Sequence, residues 1–272
     1  LEILDSAGAV LRTFEPDTVL AVRRDSVASE SDDGFARGRR TALPNVAGVN
    51  RLSWDLRAEA ASTFPGMVFW GAGTSGPAVP PGRYTVRFSA ADHVLTASLR
   101  VLRNPRITDV TDADMQAQYA FSKRVRDKVT EANDAVIAIR RVKAQVEDRL
   151  KKSEDAKLKS VAGRLSTNAS GVEENIYQVR NRSGQDPLNF PIKVNNRLAN
   201  LLSMAERGDG RPTTNMPEIF GILMAELKGY TDTLAKVWAE DLAALNAELA
   251  RLGLKKVDPK CPAVEGCAPP IA

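Results

Sequence analysis

The spacing of apolar residues changes near residue 105 and divides the chain into two unlike halves. From Phe121 to Leu150, apolar residues recur at steps of three and four, which places them on one face of an α-helix. Before Asn104, short apolar runs alternate with polar residues at a period of two, which is typical of β-strands. The sequence therefore predicts an α+β chain in two domains, with the β-domain first.

Four helical segments are predicted after Pro105. The first begins near Thr111, a good N-cap followed by two acidic residues, and runs for roughly 40 residues, or about 60 Å. The last begins near Pro217 and ends at Gly253. Each segment has one apolar stripe and the connections are short, so we expect an up-down four-helix bundle with long helices. The two middle stripes consist of Leu158, Val161, Leu165, Val172, Ile176 and Val179, and of Leu198, Leu201, Leu202 and Ala205.

The first half is predicted to be a small antiparallel β-sandwich, because its apolar residues alternate and glycine and proline separate the runs. Gly8 marks a hairpin-like turn between the first two runs. The stretch Arg23–Arg40 is charged and rich in serine and glycine, so we expect an exposed loop there. The predicted strands are Leu1–Asp5, Val10–Phe14, Gly48–Arg57 with Leu52, Trp54 and Leu56 on one face, and two runs that contain Tyr84, Val86 and Phe88, and Leu95, Ala97, Leu99 and Val101.

A long loop, Phe64–Pro81, carries an aromatic patch outside any periodic element. Its centre contains Met67, Phe69 and Trp70. Exposed patches of this kind usually mark interfaces, so we expect the loop to pack on the helices or on a neighbouring chain. Purely internal packing, and stacking of a sugar on Trp70, are the alternatives.

The segment Asp186–Ile192 (DPLNFPI) is the most distinctive peptide of the helical half. Its two prolines exclude a continuous regular helix. One interpretation is a docking surface that presents Leu188 and Phe190 to a partner. The other is a rigid turn in which Phe190 closes the end of the bundle while Asn195 and Asn196 bind the backbone of the turn.

Composition argues against several classes of function. The chain has one histidine, His93, and two cysteines, so no zinc site of the Cys/His type can form within it. His93 follows Asp92 in a predicted surface turn, and no G-x-S-x-G motif accompanies it. The adjacent acids Glu173/Glu174, Asp32/Asp33 and Glu240/Asp241 are interpreted as solvated groups. We therefore assign no catalytic, cofactor-binding or metal-binding residue, expect no cofactor, and predict that this chain is not an enzyme.

Charge and hydropathy also limit the partners. The formal net charge is +4, basic residues are interleaved with acidic ones, and aromatic residues make up 6% of the chain, whereas a nucleic-acid binder should show a basic stripe with aromatic platforms. No apolar run approaches the ~18–20 residues that cross a membrane. We expect a protein partner, no nucleic acid and no transmembrane segment in this chain.

Three motifs in the first half resemble the FlgD-type immunoglobulin-like module. They are ILDSAG (3–8), GVN followed by WD (48–50 and 54–55), and PGRYTV (81–86). Long insertions at 23–45 and 58–80 depart from that pattern. With QDPLNFPIKVNNRL (185–198), residues 1–255 look like the C-terminal region of bacterial BNR/sortilin-like β-propeller proteins, in which such a module and a helical tail follow the propeller.

The resemblance implies an exported bacterial parent and an extracytoplasmic location, periplasmic or secreted. Because Leu1 is not an initiator and opens directly in a strand, we expect residue 1 to be internal to a longer polypeptide. Export would favour a small disulfide loop between Cys261 and Cys267 in the proline-rich tail, whereas in a cytosol both would be free thiols.

The sequence thus predicts an immunoglobulin-like β-sandwich at 1–108, an antiparallel helical bundle at 109–255 and an irregular tail at 256–272. The predicted function is a non-enzymatic structural or interaction region that braces an upstream propeller or a larger extracytoplasmic assembly. The alternative is an accessory carbohydrate- or ligand-binding module of a secreted glycosidase-like protein, with residues 64–70 as the contact.

Overall fold

The computed structural model describes residues 1–16 and 42–261 and is a mixed α and β structure. A small antiparallel sheet precedes four helices, the last of which is interrupted by a π-helical turn. The strands are β1 (Glu2–Leu4), β2 (Val10–Thr13), β3 (Gly82–Ala90) and β4 (His93–Val101). The helices are α1 (Asp112–Leu150), α2 (Ala156–Ile176), α3 (Val194–Ala205), α4 (Met216–Val237) and α5 (Ala243–Arg251), with a 3-10 turn at Asp186–Leu188 and the π-helical turn at Trp238–Leu242.

The sheet has the strand order β2-β1-β3-β4, and every neighbouring pair is antiparallel. The predicted turn between β1 and β2 is confirmed: Gly8 has a φ of 84°, and the Asp5 carboxylate accepts the backbone N–H groups of Ala7 and Ala9. β3 and β4 pair in continuous register from Gly82↔Val101 to Ala90↔His93. The predicted loop Arg23–Arg40 and the acids Asp32/Asp33 lie outside the described residues.

The predicted strand Gly48–Arg57 is wrong. The segment is irregular, and its one bridge joins Arg57 to Ala78. Local turns replace the strand, because the Asn50 amide donates to the carbonyls of Val46 and Gly48, and Leu56 has a φ of 59°. Leu52 and Trp54 still pack against the sheet, whereas Leu56 is exposed. The apolar alternation therefore predicted the packing of Leu52 and Trp54 correctly, but not that of Leu56 and not the backbone conformation.

The predicted helices are confirmed, with small shifts at their ends. α1 is 39 residues long and begins at the predicted N-cap, where Thr111 and Asp114 form a reciprocal capping box. α2 begins after Asp155, whose carboxylate accepts the Leu158 N–H at 2.8 Å, and ends at Ile176 rather than at Val179.

The π-helical turn explains an irregular step in the last apolar stripe. Successive buried apolar residues of this helix are three, four or seven apart, which keeps them on one face, except for Val237 and Leu242, which are five apart. A π-helical turn holds one more residue than an α-helical turn, so both residues face the same side. The turn also places the buried carboxylate of Asp241 where Arg164 and Asn168 of α2 each donate to it at 2.7 Å.

Two apolar cores lie side by side. The larger draws on all the helices and includes Ala61 and Phe64 from the long loop. The smaller lies against the sheet, and the half-buried Tyr119 of α1 packs against it. Its buried members are Ile3, Phe14, Ala58, Val79 and Tyr84. Residues 58–79 therefore leave the sheet core, enter the helical core and return.

Candidate interaction surface

Phe64 fixes the long loop in the helical core. Its side chain is buried, and its ring meets that of Tyr177 edge to face at a centroid distance of 4.9 Å. The Arg140 guanidinium lies over the Phe64 ring at 4.6 Å. A shielded cation–π contact of this kind contributes about 0.5–2 kcal/mol beyond the burial of the ring. The loop is thus packed into the helices.

The Arg140 guanidinium is held in place by the buried carboxylate of Glu173. Arg140 donates to Glu173 at 2.8 Å, and Lys143 of the same helix donates to the other carboxylate oxygen at 3.3 Å. Glu173 is therefore a paired core charge, as is Asp241 in the π-helical turn, whereas the adjacent Glu174 and Glu240 are exposed. The interpretation of both acidic pairs as solvated groups is wrong for one member of each pair.

Tyr177 binds the backbone of the loop at two points. Its hydroxyl donates to the Gly66 carbonyl and accepts the Val68 N–H, both at 3.0 Å. Burial raises the pKa of the Tyr177 phenol, so the hydroxyl keeps its proton and remains a donor at neutral pH. Without these two bonds, the Gly66 carbonyl and the Val68 N–H would lose their hydrogen bonds to water and have no partner in the protein.

A chain of asparagines continues this support to Trp70. Asn133 on α1 donates to the Ser62 carbonyl at 2.6 Å and accepts from the Asn195 amide at 3.0 Å. Asn196 then accepts the Trp70 N–H at 2.8 Å and donates to the Trp70 carbonyl at 3.1 Å. The backbone of Trp70 is therefore fixed by both of its polar groups.

The second half of the loop returns to the sheet through a close backbone approach. A Cβ atom at Gly76 would lie 2.0 Å from the Ala58 carbonyl oxygen, so only glycine fits. Arg57 donates to the Gly76 carbonyl at 2.8 Å and to the Glu206 carboxylate at 2.9 Å. Glu206 also accepts the Ala78 N–H, which ties this part of the loop to the end of α3.

The loop residues predicted to form an interface have divided roles. Met67 and Phe69 are half-buried and pack against the helical core. Trp70 retains 39% of its surface exposed. The expected packing on the helices is therefore found for two residues, and Trp70 is left as a rigidly held aromatic at the surface.

The segment around Asp186–Leu188 forms a compact turn with one exposed apolar residue. Asp186 accepts the N–H groups of Arg182 and Ser183, and Gln178 donates to the Pro191 carbonyl at 2.9 Å. The expectation that Asn195 and Asn196 bind this turn is wrong, because both serve the network around Trp70. Leu188 is 66% exposed, and Phe190 is half-buried beneath the Arg180 guanidinium, 5.5 Å from the ring centre.

Trp70 and Leu188 both belong to the junction between α2 and α3, which lies against the middle of α1, although they are distant in sequence. Tyr177, which ends α2, binds the loop, and Asn196, in the first turn of α3, binds Trp70. The connection between these two helices contains Leu188 and Phe190. We call Trp70, Leu188 and Phe190, together with the half-buried Met67 and Phe69, the α2–α3 surface.

The remaining predicted positions carry no comparable arrangement. His93 is exposed at the start of β4. Cys261 is buried, and Cys267 lies outside the described residues, so the predicted disulfide stays a prediction. Over residues 1–16 and 42–261, no group of three or more histidine, cysteine, aspartate or glutamate side chains is placed to hold a metal ion. No helix in that part of the chain is both long and apolar enough to cross a membrane.

Sequence reasoning missed Arg140, Tyr177 and the asparagine network. Asn133 follows Val129 by four residues and precedes Val136 by three, so it interrupts the apolar stripe of α1. A polar residue on such a stripe needs a buried partner, and this signal could have been used. Its partner near residue 62 could not have been inferred, because the contact joins distant segments.

Comparisons of the chain with protein-family models, with curated proteins and with solved structures find no match. The resemblance to the FlgD-type module and to BNR/sortilin-like proteins therefore stays a prediction based on the three motifs and on residues 185–198.

Proposed function

We propose that this chain is a non-enzymatic structural and interaction region that contacts a protein partner through the α2–α3 surface. The observation that carries the proposal is that two exposed apolar residues belong to the junction between α2 and α3: Trp70, whose backbone is fixed at both polar groups, and Leu188. Rigid aromatic and aliphatic anchors lose little conformational entropy on binding, which favours recognition of another protein.

The proposed setting is an exported bacterial protein, where the chain braces an upstream β-propeller or holds a larger extracytoplasmic assembly together. This part of the proposal rests on the sequence motifs. It also includes the finer architecture: an FlgD-type immunoglobulin-like sandwich at 1–108, an up-down four-helix bundle at 109–255 and a tail at 256–272. The described strands form one antiparallel sheet, and the helices share one core.

Ion pairing supports a protein partner over nucleic acid. Many basic side chains are engaged by acids, as in Lys157–Glu248, Arg197–Glu226 and Arg211–Asp114. Such charges are less available for phosphate groups. We therefore propose that the partner surface is apolar with a polar rim.

Crosslinking mass spectrometry on the protein in its native source tests this proposal. Lys193 lies two residues after Pro191, beside the α2–α3 surface, and the exposed Lys228 on α4 serves as the control. We expect partner crosslinks at Lys193 and few at Lys228. Replacing Trp70 and Leu188 together by serine should reduce the recovered partner, whereas the same change at the exposed Val46 and Val49 should not. Partner crosslinks concentrated at Lys228 would contradict the assignment.

A carbohydrate- or ligand-binding module is the second candidate, because the half-exposed Trp70 indole on a fixed backbone could stack on a sugar ring. Titration of tryptophan fluorescence with oligosaccharides tests it, with Trp70→Phe separating this residue from the chain's two other tryptophans. A saturable change that Trp70→Phe removes would favour this candidate. The absence of any change across the oligosaccharides would dismiss it.

A further inference from the structure

Strand β4 forms an edge of the sheet with apolar side chains in solvent. Among the described residues, no strand pairs with its outer side. Val94 is 61% exposed and Leu95 is 66% exposed. An edge of this kind offers unpaired backbone groups together with apolar surface, which is the combination that recruits another strand.

The opposite edge of the same sheet is protected. β2 has four residues, its pairing with β1 contains an irregularity at Ile3/Leu4, and Pro16 follows it closely. β4 has nine residues, pairs with β3 in unbroken register, and contains no proline, lysine or acidic residue. Proteins usually protect exposed edges by short strands, bulges, prolines or charges. β2 uses three of these devices, whereas β4 carries only one arginine, Arg100, one residue before its end.

The hairpin geometry decides which backbone groups of β4 face outward. Ala90 and His93 flank a two-residue turn and pair with each other, and such flanking residues exchange hydrogen bonds. The N–H and C=O groups of every second residue from His93 therefore point to β3. Those of the residues between them point away from the sheet: Val94, Thr96, Ser98 and Arg100.

We propose that β4 pairs antiparallel with β4 of a second copy of this chain, about a two-fold axis at Ala97. This register places Val94 opposite Arg100 and Thr96 opposite Ser98, so all four outward-facing residues meet outward-facing partners and form about eight hydrogen bonds. Leu95 of each copy lies opposite Leu99 of the other, on the face that already covers the small core. No two like charges face each other across the axis.

The arrangement is self-limiting. Each copy contributes one unprotected edge, so pairing consumes both edges and produces a closed dimer with a continuous eight-stranded sheet, bounded on both sides by the protected β2. The pairing uses none of the α2–α3 surface, so this proposal and the proposed function stand or fall separately.

Sedimentation and light scattering over about 1–200 µM protein test the pairing, and we expect a concentration-dependent dimer. Ala97→Lys places two lysines against each other on the axis and should raise the dissociation constant at least ~10-fold. Ala97→Glu should do the same. Mixing the two variants should restore the dimer as a heterodimer, because opposite charges then meet.

Val10→Lys is the matched control, since Val10 is an exposed residue of the protected edge, and it should leave the dimer unchanged. Circular dichroism and the melting temperature establish that each variant is folded. A monomer at every concentration overturns the proposal. A dimer that persists in Ala97→Lys, or that the mixture of Lys and Glu variants fails to restore, overturns the assigned register.

Discussion

The helical region and the sheet obtain their buried side chains in different ways. In the helical region, most buried residues follow the three- and four-residue spacing of the helices themselves. The sheet instead buries Ile3 and Tyr84 beneath Ala58 and Val79 from irregular segments and beneath Tyr119 of α1. The helical core is therefore encoded mainly locally, whereas the sheet core depends on segments that are themselves anchored on the helices.

Of the substitutions considered, Phe64→Ala should lower the free energy of unfolding the most. Removing a fully packed aromatic ring costs about 3–5 kcal/mol of unfolding free energy, and here it also removes the ring contacts to Tyr177 and Arg140. Because Phe64 lies in the helical core, we expect the helical circular-dichroism transition in urea to shift. The exposed Val46→Ala is the control. An unchanged helical transition would show that the loop does not contribute to the stability of the helical core.

Gly76→Ala should have the next largest effect, at the point where the loop returns to the sheet. The added methyl group meets the Ala58 carbonyl, and the backbone has to move, at a cost of about 1–3 kcal/mol. Gly73→Ala is a matched control, because a Cβ there has no atom within 4 Å. Thermal melts compare the two variants. Equal melting temperatures of the two variants would mean that the close approach of the backbone at Gly76 to the Ala58 carbonyl does not contribute to stability.

Asn196→Ala should make the backbone of Trp70 more mobile. It should lower the free energy of unfolding by as much as Gly76→Ala does, or by less. It leaves the Trp70 N–H without its partner, which costs about 1–3 kcal/mol when the group stays buried, whereas the Trp70 carbonyl keeps the Asn200 side-chain amide at 3.1 Å. Native-state hydrogen exchange should show faster exchange of the Trp70 amide. Asn175→Ala, an exposed change on α2, should leave that amide as protected as in the unmodified protein.

The smallest expected effect is a pH dependence at the start of α1. The hydroxyl of Thr111, and then Arg211, lower the pKa of Asp114 from 3.8 to about 2. Because the folded-state pKa is depressed, the stabilisation is complete above pH 3.8 and is lost as the pH falls through about 2. Asp114→Asn should therefore lower the melting temperature at pH 6, and the decrease should be smaller near pH 2. Asp112→Asn is the control. If the melting-temperature difference between Asp114→Asn and the unmodified protein does not change with pH, the capping role of Asp114 is refuted.

The sequence predicts those parts of the fold that depend on neighbours along the chain. The N-cap at Thr111, the turn at Gly8 and all four helices follow from local spacing and were predicted. Gly48–Arg57 was not, since alternating burial arises in an irregular segment as easily as in a strand. For the candidate surface, Trp70 and Leu188 were identified as separate patches. Their common location depends on the contacts of Tyr177 and Asn196 with the loop, which no local pattern contains.

The π-helical turn at Trp238–Leu242 bears on how this helix tolerates changes of length. Its extra residue is absorbed within one turn, so Leu245 and Leu249 still face α2 beyond it. A chain with one residue fewer here would restore a four-residue step between Val237 and Leu242 and keep the same side inward as a regular helix. The helix can thus accommodate two lengths at this position, and in the present form the π-helical turn contains the buried Asp241, held by Arg164 and Asn168.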